Sequence, residues 1–196
     1  MSKAKSRSGL YVLIGVVVLV VILGIGFISS SNGLNRAEQD YKAKQGNLQN
    51  VLQRRNDLIP NLVSSVKGSM KNEQSALQKI TDARKVMNSS TASAQDKANA
   101  SQTMTTQGGI VINAIKENYP TLASNDNVKT LMTQIEGSEN RIKYARDQYN
   151  DSVQAYNNKV VSFPTSMVAS MNGKHTVSYF KADKSAENAP SVNFGD

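Results

Sequence analysis

Val128 to Phe163 reads VKTLMTQIEGSENRIKYARDQYNDSVQAYNNKVVSF, and its apolar positions decide the fold class. Val128, Leu131, Ile135, Ser138, Ile142, Ala145, Tyr149, Val153, Tyr156, Val160 and Phe163 follow one another mostly in steps of three and four. Such steps line up on one face of a helix with about 3.6 residues per turn. A half-buried strand would need strict alternation, which the stretch lacks. Ser124-Asn125-Asp126-Asn127 supplies caps at its start, and Phe163-Pro164 stops it. The near-heptad spacing predicts a seam against other helices in an antiparallel bundle.

The flanking segments extend the pattern. From Leu34 to Asn88 the apolar residues Leu48, Val51, Leu52, Leu58, Ile59, Leu62, Val66, Met70, Leu77, Ile80 and Met87 keep one helical stripe. Pro60 interrupts the stretch, yet the phase runs through it. This predicts one long kinked helix, with a split near Asp57 as the alternative. Asn88 to Ala100 is small and polar. It predicts a loop entering a second helix, with Ser93 as N-cap and Asp96 at N3 of a capping box. Met104, Gly108, Val111 and Ile115 share a face of that helix, which Tyr119-Pro120 ends. The two glycines at 108 and 109 weaken it and admit a close neighbour. Met167 to Met171 predicts one further turn before Gly173. Thr176 to Phe180 is expected to be extended, and Lys181 to Asp196 is expected to be a mobile tail. The expected fold class is therefore all-α. It comprises three long helices in an antiparallel bundle, the first kinked or split at Pro60 to give four, behind one N-terminal transmembrane helix.

That leading helix is read from Leu10 to Ile28, LYVLIGVVVLVVILGIGFI, 19 residues without a charge. As a helix it rises about 28 Å, close to the roughly 30 Å of a bilayer core. A cleaved signal peptide competes, but its apolar region is usually shorter, so an uncleaved anchor is preferred. No cysteine follows, so it is not a lipoprotein signal. Lys3, Lys5 and Arg7 precede the span without an acid among them, while Arg36, Lys42 and Lys44 follow it. The compact basic cluster argues for an inside N-terminus and an outside body. The expected organisation is a basic N-terminus at 1–9, the span at 10–28, a linker at 29–33, the bundle at 34–172 and a tail at 173–196.

Composition removes whole function classes. Among 196 residues there are no cysteines and one histidine, His175. That excludes disulfides, Fe–S clusters, thiolate zinc sites, cysteine nucleophiles and any two-histidine metal site. Four prolines and 12 glycines argue against a turn-rich all-β fold. The net charge of +8 raises an anionic partner. After Lys3, Lys5 and Arg7, however, the bases are interspersed with the acids, and no basic block carries interleaved aromatics. A mixed solvated surface is preferred to a nucleic-acid site.

No stretch assembles catalysis. Glu136 and Glu139 lie three apart and Glu73 sits elsewhere, but no histidine accompanies them, so no bundle metal centre and no cofactor is expected. The glutamates are expected to pair with Arg54, Arg84 or Arg146. His175 sits in a Gly-Lys-His-Thr loop with no serine elbow, and Gly108-Gly109 lacks the lysine-serine pair of a phosphate loop. The densest polar cluster is Arg54, Arg55, Asn56 and Asp57 beside Pro60. It is expected to cap and pair at the bend, beside carbonyls freed by the proline, with partner docking as the competing role. Tyr149-Asn150 and Tyr156-Asn157 recur at seven residues. Both tyrosines should pack in the core with hydroxyls at the rim. Lys79 to Asn88 echoes Arg141 to Asn150, each carrying Ala-Arg.

Gln53-Arg54-Arg55-Asn56-Asp57-Leu58-Ile59-Pro60-Asn61-Leu62-Val63 resembles the signature of the LemA family. So do Gly137-Ser138-Glu139-Asn140-Arg141-Ile142, the Ala145-Arg146, Tyr149-Asn150, Tyr156-Asn157 and Phe163-Pro164 steps, Tyr119-Pro120, and Tyr179-Phe180 with Pro190 and Phe194. Gly108-Gly109-Ile110-Val111 replaces an expected leucine-rich run, and Val128 an expected aromatic. The resemblance covers about 35–194. It implies a bacterial single-pass membrane protein with an antiparallel helical body and no established activity. The expected function is a membrane-anchored helical interaction or scaffold protein of the cell envelope, not an enzyme. Its expected partners are the bilayer and other membrane or envelope proteins, with no nucleic acid. Accessory action on an envelope enzyme, or membrane shaping through lipid or wall polymer, is the alternative.

Overall fold

The computed structural model describes residues 4–180. The expected tail at 181–196, with Pro190 and Phe194, and the first three residues of the basic N-terminus lie outside the described residues. Every regular element among the described residues is helical. In chain order they are α1 (Ala4–Val66), α2 (Gln74–Asn88), α3 (Ala94–Asn118), α4 (Pro120–Ala123), α5 (Asp126–Val161) and α6 (Thr165–Met171).

α1 is 63 residues long and includes both the apolar span and Pro60. Ser29 to Gly33, expected as a linker, are helical. Serine and asparagine cost only a fraction of a kcal/mol each in a helix, and continuing an existing helix needs no new nucleus. The span is exposed along its length and is the one helix among the described residues long and apolar enough to cross a membrane.

The expected continuation of the first helix to Asn88 is corrected. The chain breaks at Lys67–Glu73, neither at Pro60 nor near Asp57. Ser69 and Met70 N–H both donate to the Val66 carbonyl, at 2.9 and 3.1 Å, closing the helix end around Gly68. Met70 lies in this turn yet is fully buried, so it fills the core position that a helical residue would have filled. The apolar spacing therefore persists through a break in the helix. Pro60 is tolerated inside α1 because its neighbours Ile59, Leu62 and Val63 are buried. Each such side chain contributes about 1.5–3 kcal/mol, together exceeding the roughly 3 kcal/mol that an interior proline costs.

The chain divides into two compact units. One comprises Gly46–Arg146. Its core joins Ile59, Leu62 and Val66 from α1, Leu77 and Ile80 from α2, Met104, Val111 and Ile115 from α3, and Val128, Met132 and Ile135 from α5. A Cβ built on Gly108 would lie 3.3 Å from Ile59, so the glycine permits the close approach expected there. α3 begins with the expected capping box between Ser93 and Asp96. It ends before Pro120, which opens α4 as its first residue. Asn125 Oδ1 accepts from the N–H groups of Asn127 and Val128 at the start of α5, at 3.1 and 3.2 Å.

The other unit comprises Met1–Gln45 with Asp147–Asp196. Here a Cβ built on Gly33 would face Lys159 Nζ at 3.8 Å, the rings of Tyr41 and Tyr156 meet at 4.9 Å, and Lys44 Nζ donates to Gln148 Oε1 at 3.1 Å. The pairing ascends along α1 as it descends along α5. α6 adds the buried Val168 and Ala169.

Replacing Pro60 restores a donor for the α1 ladder but removes buried ring carbons worth about 0.8 kcal/mol per methylene. The balance favours the donor, so Pro60→Ala should raise the melting temperature by a few degrees. Thermal melts of the detergent-solubilised chain, wild type against variant, measure this. A lower melting temperature would show that the core is built around the proline.

Candidate functional site

The Arg54–Pro60 cluster is split by the helix surface. Arg54 and Asp57 face solvent, and Asp57 accepts from Gln53 Nε2 at 3.0 Å. Arg55 and Asn56, each only 7% exposed, face inward. Arg55 Nη1 donates to Glu139 Oε1 on α5 at 3.0 Å, and Ser101 Oγ on α3 donates to Asn56 Oδ1 at 3.1 Å. The expected placement of these side chains beside freed carbonyls is corrected, because both reach across to other helices. Pro60 itself is buried, and its carbonyl accepts from Ser64 Oγ at 2.9 Å. The Arg55 ion pair is asymmetric. The guanidinium is buried while the carboxylate is half exposed, and Arg55 Nε is buried without a partner. A guanidinium in that position costs free energy unless the carboxylate stays with it.

Other carboxylates are likewise engaged. Glu73 accepts from the Tyr119 hydroxyl at 2.7 Å, which pushes the tyrosine pKa up. Lys116 pairs with Glu136 at 2.5 Å. The expected pairing of Glu139 and Glu73 with Arg54, Arg84 or Arg146 is thus replaced by Arg55 and Tyr119. Among the described residues no group of three or more His, Cys, Asp and Glu side chains comes together. His175 is exposed. A groove of about 600 Å³ runs between α2 and α3, lined by Lys79, Asp82, Val86, Asp96 and Thr103. Lys85 and Gln78 donate to Asp82, and Ser93 donates to Asp96, which holds both carboxyls below the usual range. Neither carboxylate is poised to take a proton near neutral pH.

The most constructed polar arrangement lies along α5 in the unit containing Asp147–Asp196. Asn157 grips the backbone of one residue twice: its Nδ2 donates to the Val177 carbonyl and the Val177 N–H donates to its Oδ1, both at 2.8 Å. Asn150 does the same with Phe180, at 3.1 and 2.8 Å. The Tyr149 hydroxyl donates to the Ser178 carbonyl at 3.3 Å. Seven helical residues rise about 10.5 Å, and three extended residues cover about 10 Å, so the repeat of α5 matches the rise of the segment. Tyr149 and Tyr156 are buried, and burial raises both phenol pKa values. At the start of the segment Lys174 pairs with Glu38, which also takes Lys42 at 2.7 Å. The hydrogen bond from Lys174, then that from Lys42, pulls the Glu38 pKa down. The seven-residue Tyr-Asn repeat was legible in the sequence. Its use as a clamp on the segment was not, and Glu38 and Lys174 carried no local signal.

A helical chain with one membrane-length apolar helix among its described residues defines the class of a membrane-associated helical protein. The LemA family model matches residues 44–194, and the chain belongs to that family. The chain is also similar to the magnetosome protein MamQ of Magnetospirillum gryphiswaldense, 27% identical over 179 residues. That match covers 79% of this chain and 65% of the relative, so the chain spans about two thirds of its length. Magnetosome protein MamQ 2 of Paramagnetospirillum magneticum is 25% identical over 212 residues, covering 95% of this chain and 77% of the relative.

The buried guanidinium makes a specific energetic prediction. Glu139→Gln should destabilise the chain by about 1–2 kcal/mol, less than a fully buried pair because the carboxylate is half exposed. Adding Arg55→Met should recover much of that loss, since no charge is then left buried. Urea unfolding of Glu139→Gln, Arg55→Met and the double variant measures the coupling, and strictly additive losses would count against a tie between these residues.

Proposed function

We propose that the chain is a non-enzymatic, single-pass interaction module of the bacterial cell envelope, built as an antiparallel helical bundle behind its membrane span. The observation that supports this most directly is the continuity of α1. The apolar residues Leu10–Ile28 run without a break into Leu34 and Tyr41, which are buried within the same unit. A continuous helix transmits position and rotation where a flexible linker would not. A segment held to its membrane span in this way suits binding to neighbouring membrane or envelope proteins. The engaged carboxylates and the exposed lone histidine fit a binding role better than hydrolysis. The magnetosome designation of the relatives agrees with a membrane setting. Capture of the full-length chain from detergent-solubilised membranes should enrich a discrete partner protein. Enrichment of an envelope enzyme would support the accessory role, and recovery of anionic lipid or wall polymer alone would support membrane shaping.

The body is proposed to lie outside the membrane, on the strength of Lys3, Lys5 and Arg7 before the span. Protease added to intact, wall-stripped cells should then remove the body. Full protection until lysis would reverse the topology.

A further inference from the structure

We propose that Val161, Phe163 and Met167 form a second membrane contact, resting on the interface of the bilayer that Leu10–Ile28 crosses. The inference rests on the reading of that stretch as a membrane span. These three side chains are 64%, 80% and 61% exposed. They are consecutive features of one stretch, the end of α5, the connection after it and the first turn of α6. α6 turns Val168 and Ala169 inward, so the outward placement of Met167 is not forced by a lack of core positions. Water is a poor environment for this grouping, and an exposed apolar patch calls for an occupant.

The register within this unit identifies the occupant as lipid. Gly33 on α1 faces Lys159 on α5. From Gly33 back to Ile28, where the apolar run ends, α1 rises about 7.5 Å. From Lys159, α5 and its connection proceed in that same direction, because the numbering of α5 runs against that of α1. Lys44 opposite Gln148, Tyr41 opposite Tyr156 and Gly33 opposite Lys159 establish that direction. Val161 and Phe163 therefore lie at the level where the span meets the headgroups. α6 then leads away again, since Lys174 beyond it pairs with Glu38. Met167, in the first turn of α6, stays close to that level. Arg36 and Lys159, both exposed, put cations at the same end, suited to headgroup phosphates. Apolar side chains flanked by cations, beside the end of a span, are the chemistry of an interfacial contact.

The chain has no cysteine, so single-cysteine labelling carries no background. Phe163→Cys, Met167→Cys and Asp147→Cys would each be labelled with an environment-sensitive fluorophore. The full-length protein would then be reconstituted in vesicles of phosphatidylcholine and phosphatidylglycerol. Asp147 is an exposed α5 residue about 18 Å along the helix from Lys159, away from the span, and serves as the reference. The expected result is blue-shifted emission and quenching by brominated lipid at 163, a smaller effect at 167 and none at 147. Solvent-like, unquenched emission at 163 and 167 would overturn the inference. So would blue-shifted emission insensitive to brominated lipid, which would indicate a second copy or another protein on the patch. Val161→Cys provides an independent position should either label perturb the helical circular dichroism. Flotation of the reconstituted protein with the vesicles tests the span separately. Failure to float would refute the anchor, whereas flotation with unquenched labels would refute only the second contact.

Discussion

The structure depends on one helix not ending. α1 carries the apolar span, passes through Ser29–Gly33 and Pro60, and supplies core residues as far as Val66. Each of the weak points is overridden by burial beyond it. Leu34 packs immediately after the serine-rich stretch, and Ile59, Leu62 and Val63 flank the proline. A helix of this length on its own gains little from propensity. Within each unit, residues of α1 pack against the neighbouring helices.

Polar residues tune that packing rather than interrupt it. Arg55 and Asn56 face inward and find Glu139 and Ser101 on two different helices. Such contacts select one rotation of each helix about its axis, which a purely apolar stripe leaves loosely defined. In the unit containing Asp147–Asp196, Asn150 and Asn157 hold the backbone of the 177–180 segment. The clamp takes the backbone N–H and C=O of Val177 and Phe180, so it requires the two residues to lie one α5 repeat apart.

Local signals were legible wherever their partners were local. The Ser93–Asp96 capping box, the stop at Tyr119-Pro120, the Asn125 cap and the stripe from Val128 each join residues within a turn or two. The turn at Lys67–Glu73 was not legible, because Met70 kept the apolar spacing while leaving the helix. Periodicity records which residues are buried and not whether the backbone between them is helical. The polar cluster at Arg54–Asp57 was found, but not which two of its members would turn inward.

By itself, the sequence determined the all-helical class, the membrane-length apolar span, the helix caps and most buried positions, because these follow from side-chain spacing and backbone chemistry within a few residues. Tertiary structure alone decided where α1 ends, that Arg55 meets Glu139, and that Glu38 meets Lys174 across 136 positions of chain. Those outcomes depend on how helices rotate and slide against one another. That is set by the summed burial of whole faces, a quantity that no local stretch of residues contains.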